Sequence, residues 1–185
     1  MIAKLSAWLG RIAKGWLLLV FFAAEIFFNA LVLPGAEAQI KAFSGGVGPL
    51  DLTLFPSATT IISAIAAYGE AGRVFYTNFE MTTDILYPIA YTFFFSLLIT
   101  YLLQRAIGKD SKIQQLNVLP FGAWLFDLIE NICIVILLSS FPVEKPLVAG
   151  VLTIANGIKW IFAGVSILAM LFAFGAWVVK KIKRK

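Results

Sequence analysis

Seven polar side chains interrupt stretches that are otherwise apolar, and chemistry in this sequence would have to run through them. Glu25 and Asn29 stand four residues apart, on one face of a helix. Asp127, Glu130 and Asn131 fall within about 100° of one another on a helical wheel. Asn156 and Lys159 share a face that continues through Ala163 and Ser166. Carboxyl pairs of this kind can work as general acid and base without histidine. They can equally neutralise a lysine, or orient the polar group of a ligand in an apolar pocket. The remaining composition removes most other chemistry. There is no histidine and a single cysteine, Cys133, so disulfide frameworks, Cys/His zinc sites, Ser–His–Asp or Cys–His machinery and histidine-ligated haem are all excluded. Gly45, Gly46 and Gly48 neither follow a strand nor open a helix, and they cradle no nucleotide. A hard metal ion held by Glu25, Asp127 and Glu130 is opposed by the neighbouring charge of Lys159. No metal and no cofactor are expected, and Cys133 reads as a packed small residue.

The elements that must position these residues are set by hydropathy. The chain has 185 residues, 61% of them hydrophobic and 14% charged. That is too little polar surface to cover a soluble core, for which about a quarter of residues are ordinarily charged. Four segments are long and apolar enough to cross a bilayer: Trp16 to Leu33, ending at Pro34-Gly35; Ile85 to Leu103; Leu119 to Leu138; and Val148 to Val179. The expected fold is all-α, a single polytopic domain over residues 1–185 built as a four-transmembrane-helix bundle. Trp16, Tyr87, Tyr101 and Trp177 fall near span ends, as an interfacial aromatic belt requires. The fourth segment exceeds what a bilayer needs and is expected to tilt or project.

Charge orients the bundle. Lys4, Arg11 and Lys14 precede the first span; Arg105, Lys109 and Lys112 follow the second; Lys180, Lys181, Lys183, Arg184 and Lys185 follow the fourth. One acid, Asp110, accompanies them, whereas the opposite side carries Lys41, Arg73 and Lys145 against Glu37, Asp51, Glu70, Glu80, Asp84 and Glu144. By the positive-inside rule both termini are cytoplasmic, in the plasma (inner) membrane. The net charge of +5 is thereby explained without a nucleic-acid partner. Residues 1–38 also have the outline of a signal peptide, with Ala36-Glu37-Ala38 as its cleavage site. The apolar run of 18 residues is long for that purpose and contains Glu25 and Asn29, so an uncleaved span is expected. The C-terminal basic cluster has the outline of a lysine-based retrieval signal, but is read as an anchor to anionic lipid.

Residues 35–84 are too long for a plain connection. Ser44-Gly45-Gly46-Val47-Gly48-Pro49 forms turns. Beyond Pro56, the spacing of Ile61, Ile65 and Tyr68 predicts one short helix, and Val74, Phe75 and Phe79 with Arg73, Tyr76 and Glu80 predict a second. Both are expected as amphipathic helices on the outer surface, with Arg73, Tyr76, Glu80 and Asp84 as a gate or cap. Thr83 or Asp84 would cap the second span, with Pro88 in its first turn.

Depth arithmetic ties the chemistry to the bundle. Counted from the outer ends at 1.5 Å per residue, Glu25, Glu130 and Lys159 lie ~12, ~12 and ~16 Å down, close to one level. Lys159 is expected to pair with Glu25, Glu130 or both, the asparagines satisfying leftover donors and acceptors, and the carboxyls sharing protons as a unit. The function expected is non-catalytic: an accessory subunit, or a binder of a lipid-like or hydrophobic small molecule, in contact with membrane lipid and able to join a homo-oligomer or larger membrane complex. The alternative is an intramembrane acid–base enzyme or proton-coupled transporter using the same cluster.

Overall fold

The computed structural model describes residues 1–183; Arg184 and Lys185 of the basic tail lie outside them. The chain is 86% helix, with no strand among the described residues. In order, the helices are α1 (Ile2–Ile12), α2 (Gly15–Phe27), α3 (Leu33–Ser44), α4 (Ala58–Ala67), α5 (Gly69–Met81), α6 (Thr83–Ala106), α7 (Leu119–Ser140) and α8 (Pro146–Ile182). Four helical stretches are long and apolar enough to cross a membrane: Gly15–Ser44, Thr83–Ala106, Lys112–Ser140 and Pro146–Ile182.

The first of these corrects the expected stop at Pro34-Gly35. A π-helical turn, Phe28–Val32, joins α2 to α3. Proline cannot donate to the carbonyl four residues back, and its ring crowds that carbonyl. Here the ladder shifts by one residue just before Pro34, the Leu33 N–H bonding to the Phe28 carbonyl, so the widened turn takes the proline and the helix continues. It ends at Gly45, whose φ of 69° only glycine adopts readily, with the Gly46 N–H closing onto the Lys41 carbonyl at 2.8 Å.

The chain divides into two compact units. One comprises Ile26–Pro88 and Leu125–Trp160. Ser57 starts α4 by accepting from the Thr60 N–H, and α4 and α5 appear where the apolar spacing placed them. Their faces bury Ile61, Ile65, Tyr68 and Tyr76 in a core with Ile40 of α3, Ile134 and Leu137 of α7, and Leu152 of α8. Helix α5 lies close on α3: a Cβ on Gly72 would come within 2.8 Å of the Phe43 Cβ.

Pro88 stands in the second turn of α6, not the first, because the helix begins at Thr83. Its missing N–H orphans the carbonyl of Asp84, four residues back. Asn131 of α7 fills that vacancy, its Nδ2 donating to the Asp84 carbonyl at 3.0 Å and to Asp84 Oδ2 at 2.8 Å. Asp84 is therefore engaged by another helix rather than capping its own.

The other unit comprises Met1–Glu25, Ile89–Trp124 and the chain from Ile161 onward. The N-terminal basic tail is helical here. Helix α1 buries Ser6 and Leu9; Gln104 Nε2 donates to the Gly10 carbonyl in its last turn at 2.8 Å, and Asn117 Nδ2 donates to the mid-helix Ser6 carbonyl at 3.4 Å and to Thr100 Oγ1 at 2.8 Å. The core holds Ile99, Leu102, Leu103, Ala169 and Ala173.

If Asn131 stands in for the proline's missing donor, Asn131→Leu should destabilise the protein by about 1–3 kcal/mol. Adding Pro88→Ala, which restores an N–H four residues beyond Asp84, should recover about 1 kcal/mol. Denaturant unfolding of the two single variants and the double variant in detergent measures this coupling; strictly additive losses would refute it.

Candidate functional site

Four helices and one loop, all within the first unit described, bring the ionisable groups together. Lys159 of α8 is the hub. Its Nζ lies 3.2 Å from Asp127 Oδ1 and pairs directly with Glu130 Oε2, both one helical turn apart on α7. It also donates to the backbone carbonyl of Asp51 at 3.1 Å. Asn156, three residues before Lys159, donates from Nδ2 to Glu130 Oε1 at 2.8 Å. Glu130 is wholly buried, and Asp127, Asn131, Asn156 and Lys159 are all buried. An ion pair so enclosed survives only when hydrogen bonds take up the remaining lone pairs and protons, and Asn156 and the Asp51 carbonyl supply them.

The loop reaches this network through its backbone. Between the short turn Leu50–Leu52 and Ser57 the chain has no helix, and its polar groups are satisfied by side chains from elsewhere. Asn156 again serves, accepting from the Phe55 N–H at 2.9 Å and donating to the Thr53 carbonyl at 3.1 Å. Thr153 donates to the Pro56 carbonyl at 2.7 Å. Phe55 has a φ of 49°, a left-handed conformation costing about 1–3 kcal/mol for such a residue. Its ring packs where Gly157 has no side chain; a Cβ there would come within 2.8 Å of it. From the other side, the Tyr76 hydroxyl donates to Asp51 Oδ1 at 2.6 Å and accepts from the Leu50 N–H at 2.9 Å, while the Tyr68 hydroxyl donates to the Gly48 carbonyl at 2.8 Å.

Glu80 is the exception to this mutual satisfaction. It lies on α5 one turn after Tyr76 and is only 1% exposed. Neither of its carboxyl oxygens has a hydrogen-bond partner among the described residues. Burial pushes its pKa well above the ordinary glutamate value, and the carboxylates of Asp84, Asp51, Asp127 and Glu130 push it further in the same direction. Burial, with Asp51 and Glu80 nearby, likewise drives the phenols of Tyr68 and Tyr76 upward, so both remain protonated donors.

Of the residues singled out in the sequence, the structure joins Asp127, Glu130, Asn156 and Lys159 directly, and Asn131 with Asp84. Tyr76, Glu80 and Asp84, expected as an outer gate or cap, belong to the buried cluster instead. Arg73 does not: its guanidinium sits 3.9 Å from the centroid of the Phe141 ring and donates to the Ile65 carbonyl. Glu25 and Asn29 stand on the first long helix, Glu25 half-buried and Asn29 exposed. No local spacing marks Asp51 as a site residue, because a loop rather than a helical period carries it to Lys159. No group of three or more Cys, Asp or Glu among the described residues is arranged to hold a metal ion.

The raised Glu80 pKa fixes a sign. Between the ordinary glutamate value and the raised one, the folded chain keeps a proton that the unfolded chain has lost, so stability falls as pH rises through that interval, by up to about 1.4 kcal/mol per pH unit. Glu80→Gln removes that component. Thermal unfolding in detergent between pH 5 and pH 9 should show a shallower decline for the variant than for the wild type, and equal slopes would contradict the assignment. Comparison with known proteins finds no matching family model, no matching curated protein and no matching solved structure, so the function rests on this geometry.

Proposed function

We propose that the chain is a multi-pass membrane protein that binds a small amphipathic molecule at the cluster of Asp51, Glu80, Asp84, Asp127, Glu130, Asn131, Asn156 and Lys159, and that it acts without catalysis. Four helices of sufficient length and apolarity support the membrane reading. The concentration of Lys and Arg on one set of loops and tails supports cytoplasmic termini and a plasma-membrane setting. Helices α4 and α5 then belong to the outer side. Membrane lipid is the surrounding partner in this reading, and self-association or a larger membrane complex would supply further contacts.

The observation that carries the reading is Glu80. A network that served only as glue between helices would close on itself, as Lys159, Asp127, Glu130 and Asn156 do. Leaving a fully buried carboxyl without a partner costs about 1–3 kcal/mol or more, a cost that a bound polar group would offset. A second reading, an intramembrane acid–base enzyme or proton-coupled transporter, is favoured by the same residue in another respect. A carboxyl held protonated beside carboxylates is one half of an acid–base pair.

Two measurements test these statements. In a Cys133→Ala background, a cysteine introduced by Ser111→Cys should react with an impermeant maleimide only from the cytoplasmic side, and one introduced by Glu144→Cys only from the outside; the reverse pattern would overturn the orientation. Mass spectrometry of the purified protein should find a small amphipathic molecule retained by the wild type and lost from Glu80→Gln. A chain that carries nothing in either form would return the cluster to a purely structural role.

A further inference from the structure

The cluster is lopsided in charge. Five carboxyl groups from α5, α6, α7 and the 50–56 loop meet a single lysine, and both ion pairs of that lysine are taken by Asp127 and Glu130. Tyr76 donates to Asp51 and Asn131 to Asp84. Among the described residues, two side chains of the cluster itself keep an acceptor without a hydrogen bond or ion pair: the Glu80 carboxyl with neither oxygen engaged, and Asn131 Oδ1, whose amide nitrogen is spent on Asp84; beside them the indole Nε1 of Trp160, next to Lys159, is a buried donor without a partner, but a neutral one. An anionic head group would meet these carboxyls and, among the described residues of the cluster, no cation that is not already ion-paired. A metal ion would need ligands converging on one point, and the described carboxyls do not converge in that way. A nitrogen cation has neither difficulty, since it donates hydrogen bonds in several directions and is drawn to carboxylates that stand apart. Tyr76 lies one turn before Glu80 on the same face of α5, and its ring meets that of Tyr68 edge to face with centroids 5.5 Å apart.

We infer that the amphipathic molecule taken up by this cluster presents an ammonium group, and that the Glu80 carboxylate is its counter-ion. This rests on the ligand-binding reading given above and narrows it to one class of head group. Such a group is found on single-chain alkylamines and on phosphatidylethanolamine, and the chemistry at Glu80 is common to both. The cation competes with the proton that Glu80 otherwise holds, in the field of Asp51, Asp84, Asp127, Glu130 and Lys159 and beside the phenols of Tyr68 and Tyr76. Binding therefore tightens as pH rises, up to the point where the amine itself loses its charge.

The test uses the full chain in phosphatidylcholine nanodiscs with three probes of equal chain length: dodecylamine, dodecanol and laurate. Dodecylamine should raise the melting temperature of the wild type by several degrees at saturation, while dodecanol and laurate leave it unchanged. Glu80→Gln should abolish the dodecylamine shift, and Glu37→Gln, at an exposed ion pair with Lys41, should retain it. Native mass spectrometry of discs doped with phosphatidylethanolamine identifies the source. Retention of that lipid by the wild type but not by Glu80→Gln assigns the two-chain lipid, and a response to dodecylamine alone assigns the single-chain amine. Stabilisation by laurate or dodecanol equal to that by the amine overturns the cationic assignment while leaving ligand binding in place. An undiminished amine response in Glu80→Gln overturns the role of Glu80. If no probe acts on the wild type and nothing co-purifies, ligand binding itself fails. Should Glu80→Gln not fold, the three-probe comparison on the wild type still decides the charge of the head group.

Discussion

Removing a charge from water costs far more than apolar packing nearby can return, unless an opposite charge and a full set of hydrogen bonds take water's place. Lys159 is where this constraint bears hardest. Its ammonium joins two carboxylates of α7 to a carbonyl of the 50–56 loop, and each of those groups is in turn held by something else. Glu130 is shared with Asn156, Asn156 secures the loop backbone, and the loop is secured from its far side by Tyr76. The position of the loop, the register of α7 against α8 and the seating of α5 all follow from enclosing one cation.

The helices were legible because they depend on hydropathy and spacing, which are local. Helices α7 and α8 begin and end within three residues of the boundaries the apolar runs suggest, and α4 and α5 follow the periodicity of Ile61, Ile65 and Tyr68 and of Phe75 and Phe79. The first long helix runs on past Pro34, where the sequence suggests a stop, because proline's effect depends on the ladder preceding it. A π-helical turn changes which carbonyl the missing N–H would have served, and nothing in Phe28–Val32 announces that turn. Pro88 misled in a related way. The proline could be read, but its repair by Asn131 is a contact between residues far apart in sequence.

The candidate site was legible in part for the same reasons. Asp127, Glu130, Asn156 and Lys159 lie on regular helices, so their facing could be computed from position. The spacing around Glu80 and Asp84 suggests a surface, since an amphipathic pattern does not say which neighbour will bury its polar stripe, and both are buried. Asp51 escaped because it enters through its carbonyl and through Tyr76, and a loop backbone has no periodicity to read.

The sequence separation of those loop contacts has a bearing on biosynthesis. Phe55 meets Asn156 across 101 residues and Lys159 meets Asp51 across 108. Until the last helix has left the ribosome, the backbone groups of Thr53 and Phe55 lack these partners, and the carboxylates of α7 lack their lysine. A nascent chain halted before α8 therefore presents raw acid and unpaired amide inside an otherwise oily assembly. Closure of the network therefore waits on the final helix, and the placement of everything made before it stays provisional until α8 arrives.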